Sequence, residues 1–104
     1  GLLFENFVFR LLWDKYKTGL HRLHFWRTPD GTEVDFVVKH GRELMPVEVK
    51  YKHLTRDTMG KALHSFLSVY ASDVEKAYIV NLDFSRERDV KDVSVFFVPF
   101  FGLE

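Results

Sequence analysis

The sequence predicts an α/β domain, a mixed sheet flanked by helices, and three observations carry that prediction. Phe4, Phe7, Val8, Leu11 and Leu12 recur at the three- and four-residue spacing of a helix face. Glu33-Val34-Asp35-Phe36-Val37-Val38 and Pro46-Val47-Glu48-Val49-Lys50 have strand character and straddle His40-Gly41-Arg42-Glu43, a hairpin signal. Ala77-Tyr78-Ile79-Val80-Asn81-Leu82 is a nearly continuous apolar run reached through a second helical pattern. That is expected of a strand covered on both faces and paired in parallel.

In chain order, residues 2–17 form an amphipathic helix ended near Gly19. Leu20 to Arg27 reads as a first strand, and Thr28-Pro29-Asp30-Gly31 as a turn, because proline presets one dihedral and glycine accepts a positive one. Thr32–Lys39 and Glu43–Lys52 are the next strands, with Pro46 expected to bulge the third or delay its regular pairing. A helix capped by Thr55 or Asp57 follows, carrying Met59, Ala62, Leu63, Phe66, Leu67, Val69 and Tyr70 at helical spacing. After the apolar strand, Asp83 to Asp92 reads as a charged loop, and Ser94–Phe100 as a last strand that Pro99 pushes toward an edge. The order is α-β-β-β-α-β with an extra C-terminal strand.

Composition narrows the function classes. At 104 residues, 46% of them apolar and including 11 Phe, the chain is one domain, residues 1–104, able to bury its own core. The opening inside a helix pattern reads as a fragment of a longer protein, and the closing Leu103-Glu104 as a cloning scar. No apolar run has the length of a membrane span, and the N-terminus lacks a secretory signal. Zero cysteines exclude disulfides and thiolate metal sites and fit a cytoplasmic protein. Acidic and basic residues number 15 each, so no global field steers the chain onto nucleic acid, and any such contact is local.

The charged residues inside the strands carry the chemistry. A reversal at Gly41-Arg42 sets Asp35 opposite Glu48 and Glu33 opposite Lys50, all four on one face. Facing carboxylates repel unless a cation lies between them, and hard divalent ions such as Mg²⁺ and Mn²⁺ prefer oxygen ligands. At about 100° per residue, Glu5 falls at the margin of the first helix's apolar stripe, within reach of a strand-borne site. The same residues also suit a surface salt-bridge cluster, Glu33 with Lys50 and Asp35 with Arg27.

An aspartate on one strand and Glu48-Val49-Lys50 on the next resemble the PD-(D/E)XK nuclease superfamily. The wider text is similar to the nuclease-like domain found C-terminal to AAA-type ATPase modules in prokaryotes: Gly1-Leu2-Leu3-Phe4-Glu5-Asn6-Phe7-Val8, Phe25-Trp26-Arg27, Asp30 to Phe36, and Val47 to Tyr51. Val34, not proline, precedes the aspartate. The resemblance implies a restriction-endonuclease-like α-β-β-β-α-β core and metal-dependent phosphodiester hydrolysis, acting on DNA. It implies that Asp35 and Glu48 hold Mg²⁺ or Mn²⁺ with the carbonyl of Val49, that Lys50 orients water or offsets transition-state charge, and that Glu5 adds an acidic group. The alternative is an inactive nuclease-like binding or regulatory module attached to an ATPase domain of the same full-length chain.

Lys52, Arg56 and Lys61 follow the third strand and open the second helix, where cations can track a phosphate backbone. His21 and His24, three apart on a strand, face opposite sides and do not make a zinc pair. His64-Ser65 lacks a third member for nucleophilic catalysis. Phe96, Phe97, Phe100 and Phe101 read as core and edge covering.

Overall fold

The computed structural model describes residues 2–27, 31 and 33–103. The elements are α1 (Leu2–Tyr16), β1 (Arg22–Arg27), β2 (Glu33–His40), β3 (Glu43–Val49), α2 (Lys61–Tyr70), β4 (Lys76–Asn81), β5 (Arg86–Val90) and β6 (Val93–Pro99), with 3-10 turns at Ala71–Asp73 and Phe100–Leu103. Six strands form one mixed sheet in the order β1-β2-β3-β4-β6-β5. β1, β2 and β3 form an antiparallel meander; β3, β4 and β6 run parallel; β5 closes the far edge antiparallel to β6. Of the predicted turn at residues 28–31, only Gly31 lies among the described residues, with φ +86°. No helix of the described chain is long and apolar enough to cross a membrane.

Each sheet face carries its own core. On one, Phe4, Val8 and Leu12 of α1 cover Phe36, Val47, Val49 and Val80. On the other, Ala62, Leu63, Phe66 and Leu67 of α2 cover Val34, Val37, Ala77, Ile79, Val95 and Phe97. A strand buried on both faces reads as a continuous apolar run, as β4 does.

Four details differ from expectation. The segment Asp83–Asp92 is not all loop: its centre, Arg86-Glu87-Arg88-Asp89-Val90, is an edge strand. Its alternating charges hide the strand from a hydrophobicity pattern and deter further strands from adding to that edge. β6 is consequently interior, and Pro99 is accommodated as its last residue, opposite Asn81. Pro46 causes no bulge: the β2–β3 ladder runs unbroken from His40–Glu43 through Val37–Pro46 to Phe36–Val47, and regular pairing with β4 begins at Val47, just past the missing donor. Neither Thr55 nor Asp57 caps α2, which starts at Lys61 behind Gly60 without a side-chain cap bond. Asp57 serves β5 instead, its carbonyl accepting a bond from Arg88 Nη1 at 2.7 Å and its carboxylate lying 4.0 Å from Arg86 Nη1.

The bulge sits in β2. His24 pairs with Val37 but Trp26 with Val34, so Phe25 alone spans Asp35 and Phe36. Val34 and Val37, three apart, therefore both reach the α2 side, while Phe36 packs under α1.

The two tight hairpins give stability predictions of opposite sign. Gly41 begins the β2–β3 reversal at φ +63° with open space where a side chain would stand. Gly41→Ala should cost about 1–2 kcal/mol through the backbone alone. Lys91 holds φ +52° in the β5–β6 reversal, so Lys91→Gly should stabilise by up to about 1 kcal/mol. Urea midpoints at unchanged slope read both changes; equal signs would contradict the turn geometry.

Candidate metal centre

The β2–β3 ladder stops at Phe36–Val47, so Asp35 and Glu48 are not joined through the backbone. Asp35 Oδ2 instead accepts the Val49 N–H at 2.8 Å. On the other side of β3, Lys50 N–H donates to the Val80 carbonyl at 2.8 Å. Past the bulge, β2 has diverged from β3, and the Asp35 carboxylate replaces the strand carbonyl that would have taken the Val49 donor.

Glu48 points the other way. Val47 and Val49 pack under α1, so alternation sends Glu48 to the α2 side. There its carboxylate fills the place of a side chain on Gly60: a Cβ at Gly60 would stand 2.6 Å from Oε1 and 3.2 Å from Oε2. The Glu48 side chain is 6% exposed, and Oε1 is 3.7 Å from Lys50 Nζ. Among the described residues, Oε2 has no hydrogen-bond partner. Buried carboxylate oxygens are ordinarily hydrogen-bonded or bound to cations, so this atom marks an incomplete constellation.

Asp35 responds to the same crowding. Burial pushes its carboxyl up to about 6; the charges of Glu5, Glu48 and Glu33 push the same way, against the lowering effect of the Val49 N–H. Glu5, half-buried on α1, thus approaches from one face of the sheet and Glu48 from the other. No three His, Asp or Glu side chains among the described residues are close enough to hold an ion unaided. A cation on Asp35 and Glu48 would draw its remaining oxygens from backbone, water or substrate, the usual arrangement for Mg²⁺.

The expected gathering of Glu33, Asp35, Glu48 and Lys50 on one face does not occur, because the β2 bulge breaks the alternation it assumed. Glu33 is held by Arg27 across β1, with Nη2 at 2.8 Å and Nε at 3.3 Å from Oε2. The alternative salt-bridge cluster does not form either, since Arg27 takes Glu33 and Lys50 lies beside Glu48. Lys52, Arg56 and Lys61 are exposed along the segment leading from the site to α2. His21 does not meet His24; its ring stacks on His40 at 4.5 Å.

Gly60, which borders the site, and Asn81, which builds the turn after β4, escaped the sequence reading. Gly60 leaves the room Glu48 occupies; its signal was a Met-Gly step just before the apolar helical pattern. Asn81 is fully buried at the end of β4. Its Oδ1 accepts the N–H groups of Asp83 at 3.0 Å and Phe84 at 2.6 Å, and its Nδ2 donates to the Phe84 carbonyl at 3.0 Å. An asparagine closing an apolar run is the local sign of such a side-chain-built turn.

Because Asp35 protonates more readily folded than unfolded, the stability it contributes is full below about pH 4 and lost as pH rises to about 6. Asp35→Asn keeps an acceptor for Val49 but carries no charge. It should therefore melt increasingly above the wild type between pH 4 and 6, with the difference level beyond; a pH-independent difference would contradict the cluster. Gly60→Ala should fold, since a side-chain end can swing aside, but displace the Glu48 carboxylate. Chemical shifts at Val49 and Lys50 should then change, whereas an unperturbed spectrum there would remove Gly60 from the site.

The family model described as "Domain of unknown function (DUF4143)" matches residues 1–101. No curated protein sequence matches. Among solved structures, a chain from the half-complex of the tetradecameric assembly of Thermococcus gammatolerans McrB AAA+ hexamers with bound McrC superimposes with TM-score 0.61 at 18% identity. The likeness covers 93% of this chain and 27% of that one, so the present chain spans about a quarter of the length of that relative. At that identity the likeness is one of fold, and the match over residues 1–101 places the chain in the DUF4143 family.

Proposed function

We propose that this domain is a metal-dependent nuclease of the PD-(D/E)XK kind, cleaving DNA phosphodiester bonds in association with an AAA-type ATPase. The observation that carries the reading is the buried Oε2 of Glu48, without a hydrogen-bond partner among the described residues, set beside Lys50 and on the same strand end that binds Asp35. Glu48-Val49-Lys50 and Asp35 are also the positions at which the sequence resembles that superfamily. The fold likeness to a chain of an AAA+ assembly supports the ATPase association.

The residues present fit a hard divalent cation, Mg²⁺ or Mn²⁺. Asp35, Glu48 and the Val49 carbonyl would hold it, and when bound it supplies a water acidic enough to attack phosphorus and charge to offset the phosphate oxygens. Lys50 is 36% exposed, so its ammonium can turn from Glu48 to a water or a phosphate oxygen. Glu5 places a further carboxylate on the α1 side, and Lys52, Arg56 and Lys61 offer cations to the flanking phosphates.

Cleavage of a mixed panel of linear, nicked, branched and single-stranded DNA should require Mg²⁺ or Mn²⁺. It should fall by at least a hundredfold, on the order expected when metal and lysine act as one unit, in each of Asp35→Ala, Glu48→Ala and Lys50→Ala with folding intact. Metal-independent cleavage, or no cleavage of any member, would overturn the nuclease reading; binding without cleavage would leave a regulatory module.

A further inference from the structure

We infer that the substrate of this site is nucleic acid with unpaired bases, held by stacking on Phe25 and Tyr51. The inference rests on the nuclease reading and adds its substrate class. Phe25 is 73% exposed and Tyr51 60% exposed, so both leave most of the ring in solvent. Their places are specific. Phe25 is the β1 residue that spans Asp35 and Phe36 at the bulge. Tyr51 directly follows Lys50. Both rings lie on the α1 face, the face from which Glu5 approaches the candidate centre, Phe25 beside Asp35 and Tyr51 next in the chain after Lys50.

Each ring stands on a buried one. Phe25 rests on Phe36, with centroids 5.8 Å apart, and Tyr51 meets Phe4 edge-on at 5.1 Å. Both supporting rings belong to the α1-side core. A ring so buttressed keeps its orientation, which lowers the ordering cost of stacking a base on its free face. Trp13, 49% exposed and stacked on Phe9 at 6.2 Å, continues the aromatic surface along α1 from the Phe25 side, since Phe9 also touches Phe36.

Charge and chemistry favour unpaired bases over a duplex. With 15 basic and 15 acidic residues, the chain has no excess positive field to grip a double-stranded backbone. In a duplex the base faces are already stacked on one another and unavailable to these rings. Unpaired bases present free π-faces, and aromatic stacking accepts any sequence, leaving Lys50 and Lys52 for the phosphates.

The test is fluorescence anisotropy of this chain in millimolar Ca²⁺, with a labelled 15-nucleotide oligothymidine and a blunt 15-base-pair duplex as probes. Wild type should bind the single strand at least tenfold more tightly. Phe25→Leu and Tyr51→Leu keep an apolar side chain on the supporting ring, so melting temperatures should hold while each loses about tenfold for the single strand. Duplex binding should not change. Leucine variants that bind the single strand like wild type, or a wild type that prefers the duplex, would overturn the inference alone, provided cleavage still depends on Asp35 and Glu48. Failure to bind either probe, together with no cleavage, would instead overturn the nuclease reading and the inference with it.

Discussion

The arrangement of this domain turns on one hydrogen bond, the Val49 N–H donated to the Asp35 carboxylate. A β-ladder normally continues from backbone to backbone, and here the bulge at Asp35 and Phe36 ends that continuity one pair short. The side chain closes the ladder in the carbonyl's place and is drawn into a half-buried position that, unaided, disfavours its charge. The bulge sends Val34 and Val37 into the α2-side core, packs Phe36 under α1, and leaves Phe25 spanning the break. Packing and the geometry of the candidate site share one irregularity.

The other half of the site follows from the parallel pairing of β3 and β4. Parallel neighbours need a long crossover, and the one used here brings the start of α2 back over the end of β3. Glu48, facing that side by simple alternation, meets Gly60 and is buried with one oxygen unsatisfied among the described residues. The meander β1-β2-β3 thus delivers Asp35, the crossover buries Glu48, and the α1 layer supplies Glu5.

Much of this was legible in the residues, and the gaps have definite causes. Helical spacing at Phe4, Val8 and Leu12, the glycine reversal at Gly41 and the apolar run at Ala77–Leu82 fixed the layers and the hairpin register, which holds from His40–Glu43 to Phe36–Val47. The bulge was not legible, because Val34, Phe36, Val37 and Val38 are all apolar and no alternation is left to reveal a slipped residue. β5 was hidden by its charges, whose arginines find their partner, Asp57, in a distant loop. The start of α2 was read too early because Asp57 has the chemistry of a cap, yet its oxygens serve arginines of β5. Asp35, Glu48 and Lys50 stood out as charges inside strand patterns and as the positions of the superfamily resemblance. That Asp35 fills a gap between strands while Glu48 lies on the far face required the fold.

The proposed function requires Asp35 and Glu48, brought from different directions to the end of β3, to share one cation. The most direct measurement is a Mn²⁺ titration of the isotope-labelled chain followed by amide resonances. Paramagnetic broadening should appear first at Asp35, Val49, Lys50 and Gly60 and be absent in Glu48→Gln. Broadening that begins instead at the stacked His21 and His40, or that is the same in the Glu48 variant, would contradict the account.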